Sequence, residues 1–166
     1  MTTITFKGSP IQTNGDFPQI GGKLPELKLV AGNLSEVSLD SFKGKKVIFN
    51  IFPSIDTAVC ALQLTTFCQQ FAGQDDTVLL FASLDLPFAL NRFCSAEGID
   101  NAVTTSDFRH HSLEKYGVMM TDGPLAGLSA RAVLILDEQH NIIYSELVSE
   151  VTHEPNYEAA RAALQG

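Results

Sequence analysis

The sequence predicts an α/β fold: a central mixed β-sheet flanked by helices, with a β-hairpin at the N-terminus. Three observations carry this. Short runs at 47–52, 78–82 and 132–136 are apolar at nearly every position, as expected of strands buried on both faces. Segments with helical spacing follow the first two runs, the pattern of strands joined by crossover helices. At the start, residues 3–13 alternate apolar and polar about a glycine, as a hairpin does.

In chain order, Ile4, Phe6 and Ile11 supply the hairpin's alternation, with Gly8-Ser9 as a tight turn. Asn14-Gly15, Pro18, Gly21-Gly22 and Pro25 mark loops, and 27–30 is a short strand. A buried strand covers 46–52, ending before Pro53. A helix follows, because Cys60, Leu64, Phe67 and Phe71 recur at steps of four, three and four. Residues 77–83 form the next strand. Pro87 opens a helix that runs to about Glu97 and stops at Gly98. Residues 102–105 form a short strand and 113–116 a helical turn. Residues 132–136 and 142–144 pair as a closing hairpin, and a last helix covers about 156–164. Strands separated by helices are expected to be parallel. No repeat, low-complexity tract or linker divides the chain, so a single domain over 1–166 is expected.

The whole chain sets further bounds. Its 166 residues suffice for one domain with a proper core. Nineteen acidic against eleven basic residues give a net charge of −8, which argues against nucleic-acid binding. No apolar window reaches the length of a membrane span, and the N-terminus lacks the layout of a secretory signal. A cytoplasmic location is expected. The three cysteines, Cys60, Cys68 and Cys94, do not make a disulfide framework. Cys-x-x-Cys and Cys-x-x-His pairs are missing, so neither metal nor cofactor is expected.

The segment from Phe52 to Cys60 is the most informative. It joins a buried strand to a helix, with Thr57 at the N-cap and Cys60 in the first turn. A helix start offers unpaired N–H groups and the positive end of the dipole. Both favour a thiolate, which is the nucleophilic form. By position alone, however, Cys60 also suits a small packed hydrophobe. Thr57 could be only a cap, Pro53 only a strand terminator, Arg131 a surface ion-pair partner and Cys94 a packed thiol. Cys68 reads as packing, His110-His111 and Asp75-Asp76 as solvated pairs. The 123–127 glycine loop lacks the ending of a phosphate loop.

The spacing Pro53-x-x-x-Thr57-x-x-Cys60 resembles the signature of the peroxiredoxins. The N-terminal hairpin, Asp85-Leu86-Pro87-Phe88-Ala89, Arg92-Phe93-Cys94 and the stretch from Asp122 to Arg131 extend the likeness over nearly the whole chain, toward the bacterial thiol peroxidases of the atypical 2-Cys type. Ala58 departs from the pattern, since many peroxiredoxins carry Pro there; the departure bears on loop stiffness.

The resemblance implies a thioredoxin-like fold and a set of roles. Cys60 would be the peroxidatic cysteine and Cys94 the resolving cysteine. Thr57 would hydrogen-bond the reacting sulfur and the peroxide, Arg131 would hold the thiolate, and Pro53 would shield the pocket. Substrates would be hydrogen peroxide and organic hydroperoxides, the reductant thioredoxin, and the assembly a homodimer. Cys60 and Cys94 lie 94 − 60 = 34 residues apart on two separate predicted helices. A disulfide needs Cα atoms within about 7 Å, so local unwinding is expected after oxidation. The competing readings are a general thiol–disulfide oxidoreductase, which the missing Cys-x-x-Cys disfavours, and a redox-sensing domain with a slow Cys60.

Overall fold

In a computed structural model, residues 1–165 are described. The strands are β1 (Thr3–Phe6), β2 (Ser9–Gln12), β3 (Lys28–Ala31), β4 (Glu36–Ser38), β5 (Lys46–Ile51), β6 (Thr77–Ser83), β7 (Ala102–Ser106), β8 (Ala132–Leu136) and β9 (Ile142–Leu147). The α-helices are α1 (Ala58–Gln70), α2 (Pro87–Glu97) and α3 (Tyr157–Gln165). Short 3₁₀ helices cover Leu39–Phe42 and Ser112–Tyr116.

Seven strands form one mixed sheet in the order β4-β3-β7-β6-β5-β8-β9, and β1-β2 stand apart as a hairpin. The expected parallel pairs are present: β5 with β6, and β6 with β7. They need crossovers, which α1 and α2 provide. β8 inserts antiparallel beside β5 and turns back into β9. The interior strand β5, between β6 and β8, is buried at every position after Lys46, which is why its sequence shows no alternation.

The sheet separates two cores. On one face Val47, Phe49, Ile51, Leu80 and Leu134 pack with Phe17, Leu113 and Tyr116, so loops and 3₁₀ helices cover it. On the other face Ile48, Phe52, Phe81 and Ile135 pack under the α-helices, through Leu64 and Phe67 of α1, Leu90 of α2 and Ala160 of α3. Phe67 also meets Tyr157 edge-on, with ring centroids 5.2 Å apart, which joins α1 to α3.

Local details differ from the sequence reading. The hairpin turn is Lys7-Gly8, not Gly8-Ser9; both residues have positive φ (51° and 82°), the twist that a two-residue hairpin turn favours. β4 was not anticipated, because three residues carry too little periodicity. The predicted stop of α2 is met by Gly98 in the left-handed region (φ 66°). The hairpin is tied to the segment that follows β9. The Thr5 N–H donates to the Ser149 carbonyl at 2.8 Å, and the Val151 N–H donates to the Thr5 carbonyl at 2.9 Å. The Glu150 carboxylate accepts from the Thr5 hydroxyl at 2.9 Å and the Gly8 N–H at 2.8 Å. Desolvation raises the Glu150 pKa, but hydrogen bonds from Thr152, Gly8 and Thr5 outweigh it and hold the group well below the usual carboxylate range.

Candidate active site

The end of β5 and the start of α1 place Cys60 against the sheet. Thr57 takes the N-cap position with extended backbone, and α1 begins at Ala58. Its hydroxyl does not cap the helix; it donates to the Ser54 carbonyl at 3.0 Å. Thr57 is exposed, whereas Cys60 has 0% exposed surface. No hydrogen bond joins Thr57 to Cys60 here.

Asp85, on the β6–α2 connection, holds the loop between β5 and α1. Its carboxylate accepts from the Ser54 hydroxyl, the Ile55 N–H and the Ser83 hydroxyl, each at 2.7 Å. The buried Ser129 hydroxyl donates to the Phe52 carbonyl at 2.8 Å, beside buried Pro53. On the exposed side, Arg92 of α2 pairs with Asp56 at 3.4 Å, a contact of small energetic weight.

Arg131 is the decisive neighbour. It precedes β8 and is 2% exposed, so the surface ion-pair reading is wrong. Its Nη1 donates to Cys60 Sγ at 3.3 Å and to Gln63 Oε1 at 3.0 Å. Its Nε and Nη2 both donate to the Val151 carbonyl, at 3.0 and 2.9 Å. Among the described residues no carboxylate pairs with it. A buried charge is costly unless paired and hydrogen-bonded. The one partner of Arg131 that can ionise is the Cys60 sulfur. The arrangement therefore suits a thiolate held between a guanidinium and the start of a helix.

Sequence reading missed three parts of this site. Gln63 lies three residues after Cys60 on the buried face of α1, and Asn50 interrupts the apolar run of β5. Gln63 Nε2 donates to Asn50 Oδ1 at 2.9 Å, with both residues fully buried. Polar residues at apolar-phase positions were the available signal. The third part, the Val151 carbonyl, is backbone and has no side-chain signal.

The other cysteines lie elsewhere. Cys68 sits two turns further along α1, 6% exposed. Burial, with the charges of Cys94 and Asp100 adding to it, pushes its thiol up to about 12. Cys94 is half-buried on α2; burial raises its thiol as well, and the Thr104 hydroxyl pulls the other way. All three thiols are free. A surface cavity of about 400 Å³ between the C-terminal ends of α1 and α2 is lined by Cys68, Gly98 and Asn101, remote from Cys60's end of the helix. The histidine pair also splits: His110 contacts Glu36, while His111 has positive φ at the start of a 3₁₀ helix. Among the described residues no group of metal-binding side chains gathers.

The redoxin family model matches residues 19–160. The chain belongs to the redoxin family. Within it, the chain groups with the thiol peroxidases and peroxiredoxins. It is 49% identical over 164 residues to a thiol peroxidase of Mycobacterium tuberculosis, covering 99% of both chains, and equally to one of Mycobacterium bovis. Among solved structures, a peroxiredoxin-like protein from Aquifex aeolicus matches with a TM-score of 0.93 at 36% identity, covering 99% of this chain and 97% of the other. A thiol peroxidase from Chromobacterium violaceum matches in fold with a TM-score of 0.90 at 24% identity, covering 98% and 95%. The redoxin match and these neighbours agree with the thioredoxin-like sheet described above. The hairpin precedes the part of the chain that the family model matches.

Proposed function

We propose that this redoxin reduces hydrogen peroxide and organic hydroperoxides through Cys60, with Cys94 resolving the oxidised sulfur and thioredoxin restoring both thiols. The enzyme class is that of the thiol peroxidases, and thiol-dependent peroxide reduction with an antioxidant role follows from membership. The single observation that supports the residue assignment is the buried Arg131, whose one ionisable partner is Cys60.

The chemistry balances as follows. The Cys60 thiolate attacks one peroxide oxygen; the O–O bond breaks, and the other oxygen leaves as hydroxide or alkoxide and takes a proton. Arg131 stabilises the sulfur and the charge that develops on oxygen, an interaction strongest in the transition state. The Thr57 hydroxyl, at the exposed mouth, turns from Ser54 toward the bound peroxide, and Pro53 keeps water out. The Cys60 sulfenic acid then condenses with the Cys94 thiol, forming a disulfide and releasing water. A dithiol of thioredoxin reduces that disulfide by exchange. Cys60 is fully buried and Cys94 belongs to another helix, so this reading includes local unwinding at the first turn of α1, at α2, or at both.

The proposal extends to one domain over 1–166, a cytoplasmic location and a homodimer. Exposed Leu86 and Phe88 at the start of α2, at 51% and 64%, supply apolar surface that a second copy would cover. No helix among the described residues is long and apolar enough to cross a membrane.

The test is a coupled assay with peroxide, thioredoxin, thioredoxin reductase and NADPH. Wild type turns over, Cys60→Ser does not, and Cys94→Ser consumes about one equivalent of peroxide and stops. Full turnover by Cys60→Ser sinks the assignment of the nucleophile. Sustained thioredoxin-linked turnover by Cys94→Ser sinks that of the resolving thiol.

A further inference from the structure

The N-terminal hairpin meets the segment after β9 at Glu150 and Val151. Val151 lies outside any helix or strand. Its N–H donates to the Thr5 carbonyl of β1 at 2.9 Å, and its carbonyl receives both Nε and Nη2 of Arg131. The Val151 side chain is 2% exposed and packs with Ile4 and Ile11 of the hairpin and with Ala130. Glu150 is half-buried and has no cationic partner among the described residues. Its carboxylate is held by hydrogen bonds from two directions. Oε1 accepts from the Thr5 hydroxyl at 2.9 Å and the Gly8 N–H at 2.8 Å, and Oε2 accepts from the Lys7 N–H at 3.2 Å. Oε2 also accepts from the Thr152 N–H at 2.8 Å and the Thr152 hydroxyl at 2.7 Å. Lys7 and Gly8 are the turn residues with positive φ, so consecutive N–H groups converge on the carboxylate. The redoxin match, residues 19–160, contains Glu150 and Val151, while three of the donors come from the hairpin that precedes it.

We propose that Glu150 is a positioning residue that acts through the backbone: it latches the hairpin turn over the segment after β9 and so fixes the Val151 carbonyl that anchors the Arg131 guanidinium. This rests on the reading of Cys60 as the peroxide-reacting thiol. A carboxylate suits the task, because its two oxygens offer about four acceptor sites and can bridge donors from two segments at once. Without it, the Lys7, Gly8 and Thr152 donors lose their shared acceptor. The hairpin then holds residues 149–151 by the two backbone bonds of Thr5 and by the apolar contacts of Val151. The guanidinium keeps its charge but loses a fixed direction, and a donor out of line stabilises the transition state less. The hairpin thereby becomes a working part of a site formed by other elements.

The experiment follows the second-order rate of reduced protein with hydrogen peroxide by stopped flow, across pH, for wild type, Glu150→Ala, Glu150→Gln and Asn14→Ala. Asn14 fastens the other end of the hairpin, by bonds to the Glu114 carbonyl and the Met119 N–H, and serves as the control for loosening without loss of the latch. Glu150→Ala is expected to slow the reaction about tenfold, less than the roughly hundredfold that a full 1 Å misplacement can cost. It is also expected to move the midpoint of the pH–rate profile up by about half a unit, as the sulfur loses part of its cationic partner. Glu150→Gln keeps one oxygen and should change both features in the same direction by less. Asn14→Ala should lower the unfolding temperature and leave both features in place. If Glu150→Ala, corrected for folded fraction, follows the wild-type profile, or if Asn14→Ala shifts it equally, the inference is overturned. If Glu150→Ala does not fold, Glu150→Gln decides by the same two features. A wild type with no Cys60-dependent reaction overturns the underlying reading as well, which sets that failure apart.

Discussion

Helix α1 carries two thiols that burial alone does not distinguish. Cys60 is 0% exposed and Cys68 is 6% exposed. Around Cys60 the sheet brings a guanidinium, and the helix start brings unpaired N–H groups. Cys68 has no cationic partner among the described residues; burial and the like charges of Cys94 and Asp100 act on it, and its thiol rises to about 12. Burial without a cationic partner keeps a thiol protonated and inert; the same burial beside a fixed cation makes a site for an anion. Two turns of helix separate these outcomes, so the partners decide, not the element.

The largest expected effect comes from making the Cys60 environment like that of Cys68. Arg131→Met should slow the peroxide reaction by about 10² to 10³, comparable to removing one preorganised donor from a transition-state site. Stopped-flow rates on reduced protein check it. Next is the loop that seats the first turn. Asp85→Ala leaves the Ser54 and Ser83 hydroxyls and the Ile55 N–H without their acceptor. We expect a loss of about 2–3 kcal/mol in denaturant unfolding, with a fall in peroxide rate of about tenfold as Cys60 loses its seating.

Cys68 supplies the opposite test. Cys68→Ala should leave the peroxide rate unchanged while altering stability at alkaline pH. Its folded pKa lies above the ordinary 9.0, at about 12, so the unfolded chain releases the proton first. The stabilising contribution is present below about pH 9 and lost as pH rises toward 12, with a slope of at most about 1.4 kcal/mol per pH unit. Cys68→Ala should flatten that fall in urea titrations at pH 9 to 11; Cys94, raised in the same direction, leaves a smaller residual slope. The smallest effect is Ser129→Ala, expected to cost about 1 kcal/mol by freeing the Phe52 carbonyl.

Most of the fold was legible because its strands are short and buried. Residues 77–83 and 132–136 read as strands and are β6 and β8; the Pro87 start and the Gly98 stop of α2 follow from backbone chemistry. β4 was not legible, and the hairpin turn shifted by one residue, because local signals fix such ends weakly. At the candidate site the position of Cys60 was legible in the helix start. The burial of Arg131 was not: an arginine just before a strand looks the same in sequence whether it faces water or a thiol. Asn50 and Gln63 were visible as polar breaks in apolar patterns, but their link depends on β5 and α1 meeting, which only the folded chain provides. The acceptor on Val151 belongs to the backbone and leaves no trace in residue type.

The most direct measurement of the central claim is to map where one equivalent of hydrogen peroxide oxidises the Cys94→Ser protein, trapping sulfenic acid with dimedone and locating the adduct by mass spectrometry. Attack by the thiol beside Arg131 predicts the adduct on Cys60 and none on Cys68. An adduct chiefly on Cys68, or equal labelling of both, would contradict the account.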